Sequence, residues 1–239
     1  TKIKEIGIKR LHMHNDQIII ENPNKPQVIE NLISPSNYNN HNFTPPLNIG
    51  VLASGNGSNL EAIFSAINRG ELQAYISLLI VNDPCCNARR RAEKLGIDCI
   101  VIDHMNYNSR EQHEEAIIKS FSNYNVELVV MAGWMRIVTS LLIKKYKSRL
   151  INIHPSLLPS FKGKDAIRQA MSSKVAITGC TVHIVDLEVD SGPIIMQSAV
   201  PIKKDDDEEK IRERIQAQEH IILPKSIAIV GSIIRDIVN

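Results

Sequence analysis

The feature that most constrains the fold is a regular alternation that begins at Leu47, where short β-branched runs are separated by amphipathic, charged stretches. Apolar runs of this length are typical of buried strands, and the stretches between them have a helical period. Consecutive strands separated by helices need crossover connections, which favour a parallel sheet. The sequence therefore predicts a Rossmann-like α/β fold, with a mainly parallel twisted sheet and helices on both faces.

The predicted elements alternate strictly as far as Ile153. Strands are predicted at 47–52, 75–81, 99–102, 128–131 and 150–153, with helices at 59–68, 88–95, 109–121 and 139–146. After them we predict a short helix at 165–171, strands at 178–185 and 193–200, and a last helix at 206–238 with a solvated acidic start. A turn at 189–192 separates the two late strands, which predicts an antiparallel pair in the C-terminal half.

Residues 1–46 differ from the rest, because they are rich in asparagine and proline and end in Pro45-Pro46. We interpret them as an N-terminal extension of unknown role, with one or two strands, and residues 47–239 as the main domain. Acidic residues such as Glu5 and Asp16 disfavour an organelle transit peptide.

Composition narrows the class of protein. A chain of 239 residues that is 43% hydrophobic supports one sizeable core. The net charge of +2 is too small to indicate a nucleic-acid partner, and no apolar run is long enough to span a membrane. The four cysteines fit neither a disulfide scaffold nor a metal site, which favours the reducing cytoplasm. We therefore expect a cytoplasmic monomer or homodimer without metal that acts on small molecules.

A glycine-rich turn follows the first strand of the main domain, with the sequence Ser-Gly-Asn-Gly-Ser-Asn at 54–59. Glycines allow the backbone to approach an anion closely, and the N–H groups of a helix start can bind phosphate. A plain turn, with Ser58 or Asn59 as the helix cap, explains the same residues equally well. The loop alone leaves both interpretations open.

Asn152 and His154 lie on one face of the fifth predicted strand, at the end where open α/β sheets bind ligands. A lone histidine there is more often structural than catalytic. Asp190 precedes a Ser-Gly-Pro turn; if it returned to His154 it would favour an imidazolium that stabilises an oxyanion. The sequence does not bring these two together, and we expect His183 to pack and form hydrogen bonds rather than react.

The motifs taken together are far more specific than any one of them. They are the glycine turn, Ala-Gly-Trp-Met-Arg-Ile at 132–137, Asn-Ile-His-Pro-Ser-Leu-Leu-Pro at 152–159, Val-Asp-Ser-Gly-Pro at 189–193 and Gln-Ala-Gln-Glu-His at 216–220. In this order they resemble the folate-dependent glycinamide ribonucleotide formyltransferases of purine synthesis, over about residues 47 to 230. The resemblance implies transfer of a formyl group from 10-formyltetrahydrofolate, as cosubstrate, to the amine of glycinamide ribonucleotide.

The resemblance also implies roles for particular residues. Asn152, His154 and Asp190 match the catalytic trio, and Gln216 is a further candidate for a ribose contact. The positions that match binding of glycinamide ribonucleotide are Gly57, Ser58, Asn59 and Glu219. The positions that match folate binding are Arg110, Met135, Arg136, Ile137, Val138 and Asn152. The stretch 164–167 departs from the histidine-containing family pattern, so no substrate contact is carried over to that loop.

Three other functions share some of these sequence features. A methionyl-tRNA formyltransferase is expected to have a further basic C-terminal domain, and a formyltetrahydrofolate deformylase a longer N-terminal domain. A non-catalytic nucleotide- or folate-binding module is expected to lack at least one of Asn152, His154 and Asp190, and all three are present. The deformylase and the binding module remain the alternatives.

Overall fold

The computed structural model describes residues 11–14, 17–20, 27–29, 32–35 and 43–238, with side chains for 32–35 and 43–236. The strands are β1 (Leu11–His14), β2 (Gln17–Ile20), β3 (Gln27–Ile29), β4 (Ile33–Ser34), β5 (Leu47–Ala53), β6 (Ala74–Val81), β7 (Cys99–Val101), β8 (Leu128–Met131), β9 (Leu150–His154), β10 (Ile177–Ile184) and β11 (Ile194–Pro201). The helices are α1 (Ser58–Asn68), α2 (Asn87–Leu95), α3 (Arg110–Asn123), α4 (Ser140–Lys145), α5 (Ala166–Ser172) and α6 (Glu208–Val238), with a 3₁₀ turn at His104–Asn106.

The described residues form a main sheet of eight strands in the order β4-β11-β10-β9-β8-β5-β6-β7. Strands β5 to β9 are parallel to one another, and β10 and β11 form an antiparallel pair beside β9. This confirms the predicted α/β fold. The chain first builds outward from β5 through β6 to β7, then returns to add β8 and β9 on the other side.

Both faces of the sheet are covered, and the alternation of strand side chains shows why. Ile49 and Val51 of β5 lie in a core with helices α1 and α6, whereas Leu52 lies in a second core with α3 and α4. Successive strand residues point to opposite faces, so a strand buried on both sides reads as a continuous apolar run. All seven residues of β5 are buried.

The N-terminal residues contain more strands than expected. Instead of one or two, four lie among the described residues before residue 47, and β1, β2 and β3 form an antiparallel sheet of their own. Strand β4 pairs with β11 at the edge of the main sheet, where Ser198 is opposite Ile33. A two-residue edge strand has almost no periodicity of its own, so the sequence pattern did not reveal it.

The last helix starts later than predicted, at Glu208 instead of residue 206. Asp207 accepts a hydrogen bond from Lys210 N at 2.8 Å, the geometry of a helix cap. The side chain of Asp206 is 5% exposed and pairs with Arg214, so this acidic start is not simply solvated, as we had expected. Within the described ranges, no helix combines the length and apolar character needed to cross a membrane.

Candidate active site

The predicted site residues lie where parallel strands end. The glycine turn follows β5, the Ala-Gly-Trp segment follows β8, and Asn152 and His154 close β9. Strands β5 and β8 are neighbours, and the order of chain building reverses between them. Open α/β sheets bind ligands in the crevice at such a reversal. The sheet order therefore brings these sequence motifs to one edge.

The glycine turn is held against the loop after β8 and the start of α2. Ser54 N donates to Gly133 O at 3.0 Å, Met135 N donates to Ser54 Oγ at 2.9 Å, and Ala88 N donates to Gly55 O at 3.0 Å. Gly57 has a φ of +81°, and a Cβ there would lie 2.7 Å from the Cα of Ala88. Only glycine fits this position without strain.

The helix cap is Gly57, and no side-chain hydrogen bond caps the start of α1. Neither Ser58 nor Asn59 caps α1. Asn59 instead turns its amide toward α6, where Nδ2 donates to Glu219 Oε2 at 3.0 Å. The start of α1 therefore keeps backbone N–H groups that no capping side chain satisfies, as anion binding requires.

Glu219 is 7% exposed, and burial raises its pKa, although the Asn59 amide and the charge of Arg212 act in the opposite direction. The structure thus joins two of the predicted substrate-binding residues, which lie on α1 and α6. The Oδ1 atom of Asn59 is buried without a hydrogen-bond partner among the described residues, so it can accept one from a ligand. Gln216, one turn before Glu219, is half-buried.

The structure brings His154 and Asp190 together. Nδ1 of His154 lies 3.4 Å from Asp190 Oδ2, and the two side chains are 7% and 9% exposed. The opposite ring nitrogen, Nε2, lies 2.9 Å from the carbonyl oxygen of Phe161. Both ring nitrogens therefore face acceptors, an arrangement that a doubly protonated imidazolium satisfies completely.

A second imidazole shares the same carboxylate. His183 Nε2 lies 3.6 Å from Asp190 Oδ1 and 3.2 Å from Asn152 Nδ2, while its Nδ1 lies 2.9 Å from Ile184 O. The antiparallel register explains this cluster, because His183 is directly opposite Asn152. His183 forms hydrogen bonds as expected, but its place beside Asp190 was not anticipated.

Asp190 is held as an ion at the centre of this cluster. Burial opposes its ionisation most strongly, yet the hydrogen bonds from His183 and Gly163 N and the charges of His154 and His183 outweigh it, so its pKa is lowered. Gly163 N donates to Asp190 Oδ2 at 2.8 Å. The loop after Pro159 therefore reaches the carboxylate through its backbone.

The stretch 164–167, where the family pattern is absent, continues directly from this loop. Ile167 is 4% exposed and lies in the core beneath α5. Asp165 is the cap residue of α5, with a φ of +56°. This departure from the family pattern therefore places a core residue at 167.

Four of the six predicted folate-binding residues border a separate cavity of about 240 Å³ between the start of α3 and the loop after β8. Arg110, Arg136, Ile137 and Val138 line this cavity, together with Trp134 and His113; Met135 does not, and 74% of it is exposed. Asn152, His154 and Asp190 are not among its lining residues. Met131, just before this loop, pairs with Asn152 on β9. The cavity therefore lies beside the end of β8, and His154 lies at the end of the neighbouring strand β9.

Stacked rings form one wall of the cavity, a feature that sequence analysis missed. The ring planes of His113 and Trp134 are 2° apart, with centroids separated by 6.0 Å. Burial lowers the pKa of His113 despite the hydrogen bond of its Nε2 to Ile102 O, so the ring is neutral at pH 7. The helical period of α3 could have indicated that His113 faces inward, three residues after Arg110.

Comparison with known proteins agrees with this arrangement. A family model described as formyl transferase matches residues 47–227. The chain belongs to the formyl transferase family. This formyl transferase is 41% identical over 177 residues to phosphoribosylglycinamide formyltransferase of Bacillus subtilis, covering 74% of this chain and 91% of that protein.

Glycinamide ribonucleotide transformylase 1 from Symbiobacterium toebii has a similar structure, with a TM-score of 0.78 and 38% identity over 82% of this chain and 93% of that one. The trifunctional purine biosynthetic protein adenosine-3 of Gallus gallus is 41% identical over 189 residues, which are 79% of this chain. This formyl transferase spans only 19% of that protein's length. The resemblance inferred from the motifs is confirmed at the level of the family and the fold.

Proposed function

We propose that this formyl transferase moves the formyl group of 10-formyltetrahydrofolate to the amine of glycinamide ribonucleotide. The products are formylglycinamide ribonucleotide and tetrahydrofolate, as in purine biosynthesis. The contact between His154 and Asp190, beside Asn152 at the carboxyl end of β9, is the single observation that carries the proposal. The names of the relatives from Bacillus subtilis and Symbiobacterium toebii support the same substrate.

In this proposal the glycine turn anchors the nucleotide. The phosphate is bound by backbone N–H groups at Gly57, Ser58 and Asn59, where the positive end of the α1 dipole favours an anion. Glu219, held by Asn59, accepts hydrogen bonds from the ribose hydroxyls. The amine then extends from the end of β5 toward the end of β9.

Folate approaches from the neighbouring loop. Arg110 and Arg136 at the cavity supply positive charge for the carboxylates of its glutamate, while Ile137 and Val138 offer apolar surface to its rings. Met135 is exposed and supplies further apolar surface outside the cavity. The formyl group is thereby presented toward Asn152 and His154.

Attack of the amine nitrogen on the formyl carbon creates a tetrahedral intermediate with a negative oxygen. The Asn152 amide and the N–H of a charged His154 donate hydrogen bonds to that oxygen, and ionised Asp190 stabilises the charged ring. The carbon–nitrogen bond to folate then breaks. The folate nitrogen gains one proton and the amine loses one, and His154 is placed to carry this proton.

The carbonyl oxygen of Phe161 affects this step, because it already accepts the hydrogen bond of His154 Nε2. A formyl oxygen that accepts from Nε2 has to replace this carbonyl. The loop at 161–163 therefore shifts when substrate binds, while Nδ1 keeps Asp190 as its partner. The reaction needs neither a metal nor a covalent enzyme intermediate in this scheme.

The direct test mixes purified protein with glycinamide ribonucleotide and 10-formyltetrahydrofolate and follows the absorbance change as tetrahydrofolate forms. We expect turnover with the native protein and a loss of about 10²- to 10³-fold in kcat for His154→Ala, the usual effect of removing an oxyanion donor. No product from the native protein would contradict the proposed activity. Unchanged rates for His154→Ala would contradict the mechanism.

The same assay separates the alternatives. Formate released without the amine acceptor would indicate a deformylase, and folate binding without any turnover would indicate a non-catalytic module. We further propose small-molecule substrates without nucleic acid or membrane partners, and a cytoplasmic location. The role of residues 1–46 as an extension stays a prediction.

A further inference from the structure

Glu114 is a buried carboxylate that the scheme above does not use. It lies on α3, is 3% exposed, and lines the floor of the cavity. Its oxygens accept hydrogen bonds from Thr139 N at 2.5 Å, Thr139 Oγ1 at 2.6 Å and Leu142 N at 3.1 Å. A buried carboxylate is costly to desolvate, so the donors that compensate it are held firmly in place.

All three of these hydrogen bonds come from one segment, the start of α4. Helix α4 is only six residues long and already has a cap of its own, since Thr139 Oγ1 accepts from Leu141 N at 3.2 Å. Such a short helix is marginal alone. Glu114 adds a second cap from another helix, and its charge suits the positive end of the α4 dipole.

The position of Glu114 connects the two walls of the cavity. Arg110 lies one helical turn before it on α3, so the two share a face of that helix. Thr139 directly follows the segment 136–138, which forms the opposite wall. The distance between the two arginines therefore depends on the hydrogen bonds that Glu114 accepts at the floor.

We propose that Glu114 is a positioning residue for folate, which sets the separation of Arg110 from the segment 136–138 without contacting the reacting atoms. This inference rests on the proposed function for its ligand. It predicts that the Glu114 carboxylate increases the affinity for folate, whereas a carboxylate that only capped α4 would affect only the stability of the fold. The nucleotide site, at β5 and α6, is independent of it.

The test compares Glu114→Gln with Glu115→Gln, the same substitution at an exposed neighbour on the same helix. A glutamine amide has one acceptor oxygen, so Glu114→Gln loses part of the contact to Thr139 and Leu142. We expect a rise of about tenfold in KM for 10-formyltetrahydrofolate. KM for glycinamide ribonucleotide and kcat at saturating folate should stay within about twofold. Glu115→Gln should match the native protein.

A binding measurement separates this proposal from the proposed function. Trp134 is the only tryptophan in the sequence and lines the cavity, so its fluorescence reports binding without turnover. Titration with tetrahydrofolate, and with p-aminobenzoylglutamate as the tail alone, should show weaker binding to Glu114→Gln in both cases. If the native protein is inactive but this difference persists, the activity fails and the positioning role stands.

Thr139→Val supplies a second variant, because it removes the hydroxyl that donates to Glu114 and accepts from Leu141 N, and keeps the backbone N–H. It should raise the folate KM in the same direction, since the segment 136–138 loses part of its attachment to Glu114. If Glu114→Gln does not fold, the folate KM and the Trp134 titration of Thr139→Val test the proposal instead. An unchanged folate KM and unchanged Trp134 titration, with only a lower melting temperature, would overturn the proposal.

Discussion

The carboxylate of Asp190 is shared between two imidazole rings and a backbone N–H. Its oxygens lie 3.4 Å from His154 Nδ1, 3.6 Å from His183 Nε2 and 2.8 Å from Gly163 N. A largely buried carboxylate surrounded by donors stays ionised, and its pKa is accordingly lowered. We therefore expect Asp190 to be charged at neutral pH.

Asp190→Asn tests the role of the Asp190 charge, because it replaces one carboxylate oxygen by an NH₂ group. The amide retains the shape but removes the charge that stabilises an imidazolium, so kcat should fall by about 10²- to 10⁴-fold. Because the pKa of Asp190 is lowered below its ordinary value, its protonation contributes no acid limb to the pH profile above about pH 4. Steady-state rates from pH 5 to 9 check this expectation.

The matched control is Asp186→Asn, an exposed aspartate in the same loop, which should leave kcat unchanged. Activity of Asp190→Asn equal to that of Asp186→Asn would contradict the role given to Asp190.

Hydrogen bonds between charged side chains and the backbone stabilise the junction between β11 and α6. Arg214 Nη1 donates to Pro201 O at 2.6 Å and to Asp206 Oδ2 at 2.7 Å, while Nη2 lies 3.1 Å from Asp206 Oδ1. Lys203 N also donates to Asp206 Oδ2 at 2.7 Å. The start of the longest helix is thus tied to the end of the last strand. Glu219 lies on that helix, so the junction also orients the proposed nucleotide site.

Asp206→Asn should lower the free energy of unfolding by about 1 to 2 kcal/mol at pH 7. The hydrogen bonds from Arg214 lower the pKa of Asp206 to about 2, below its ordinary value. A lowered pKa stabilises the fold above the ordinary value, and this contribution is lost as pH falls from about 4 through about 2.

Urea denaturation of native and variant protein at several pH values measures the difference. It should be constant above about pH 5 and shrink toward pH 2. The exposed Asp205→Asn serves as the control, and a difference between native protein and Asp206→Asn that did not depend on pH would refute the assignment.

At the scale of the whole molecule, the last helix packs against Phe43, in the segment just before β5. Phe43, which precedes the residues matched by the family model, is 6% exposed and lies in the same core as Ile227 and Val230 of α6. A Cβ on Gly231 would lie 2.8 Å from Phe43 Cζ and 2.8 Å from Leu47 Cδ2. The last helix therefore approaches the first core strand closely because residue 231 has no side chain.

Two substitutions at this contact should be non-additive. Phe43→Ala should destabilise the fold by about 3 kcal/mol through lost burial and a cavity. Gly231→Ala, which usually stabilises a helix interior, should instead cost about 1 to 3 kcal/mol because the new methyl group is overpacked. In the double variant the methyl group enters the vacated space, so the total cost should be smaller than the sum.

Chemical denaturation of the four proteins gives the coupling energy directly. Ile233→Ala, at a position that is 51% exposed on the same helix, should cost much less than Phe43→Ala. Strict additivity would show that Phe43 and Gly231 do not meet.

Much of the fold and the candidate site follows from local patterns. The predicted strand at 128–131 coincides with β8, and the other predicted elements from residue 47 onward end within a few residues of the observed ones. Burial imposes a period of two or 3.6 on the chain itself, so each element can be identified without its neighbours. The candidate site residues could be predicted because most of them lie in contiguous sequence motifs.

The tertiary structure decided which of these groups meet. It placed Asp190 beside His154, added His183 through the antiparallel register, set the Phe161 carbonyl against the His154 ring, and joined β4 to the sheet edge. It also revealed Glu114 beside Thr139, next to the segment proposed to bind folate. Such contacts depend on strand order and loop return, which no local period encodes, because they arise only when distant segments share one packed core.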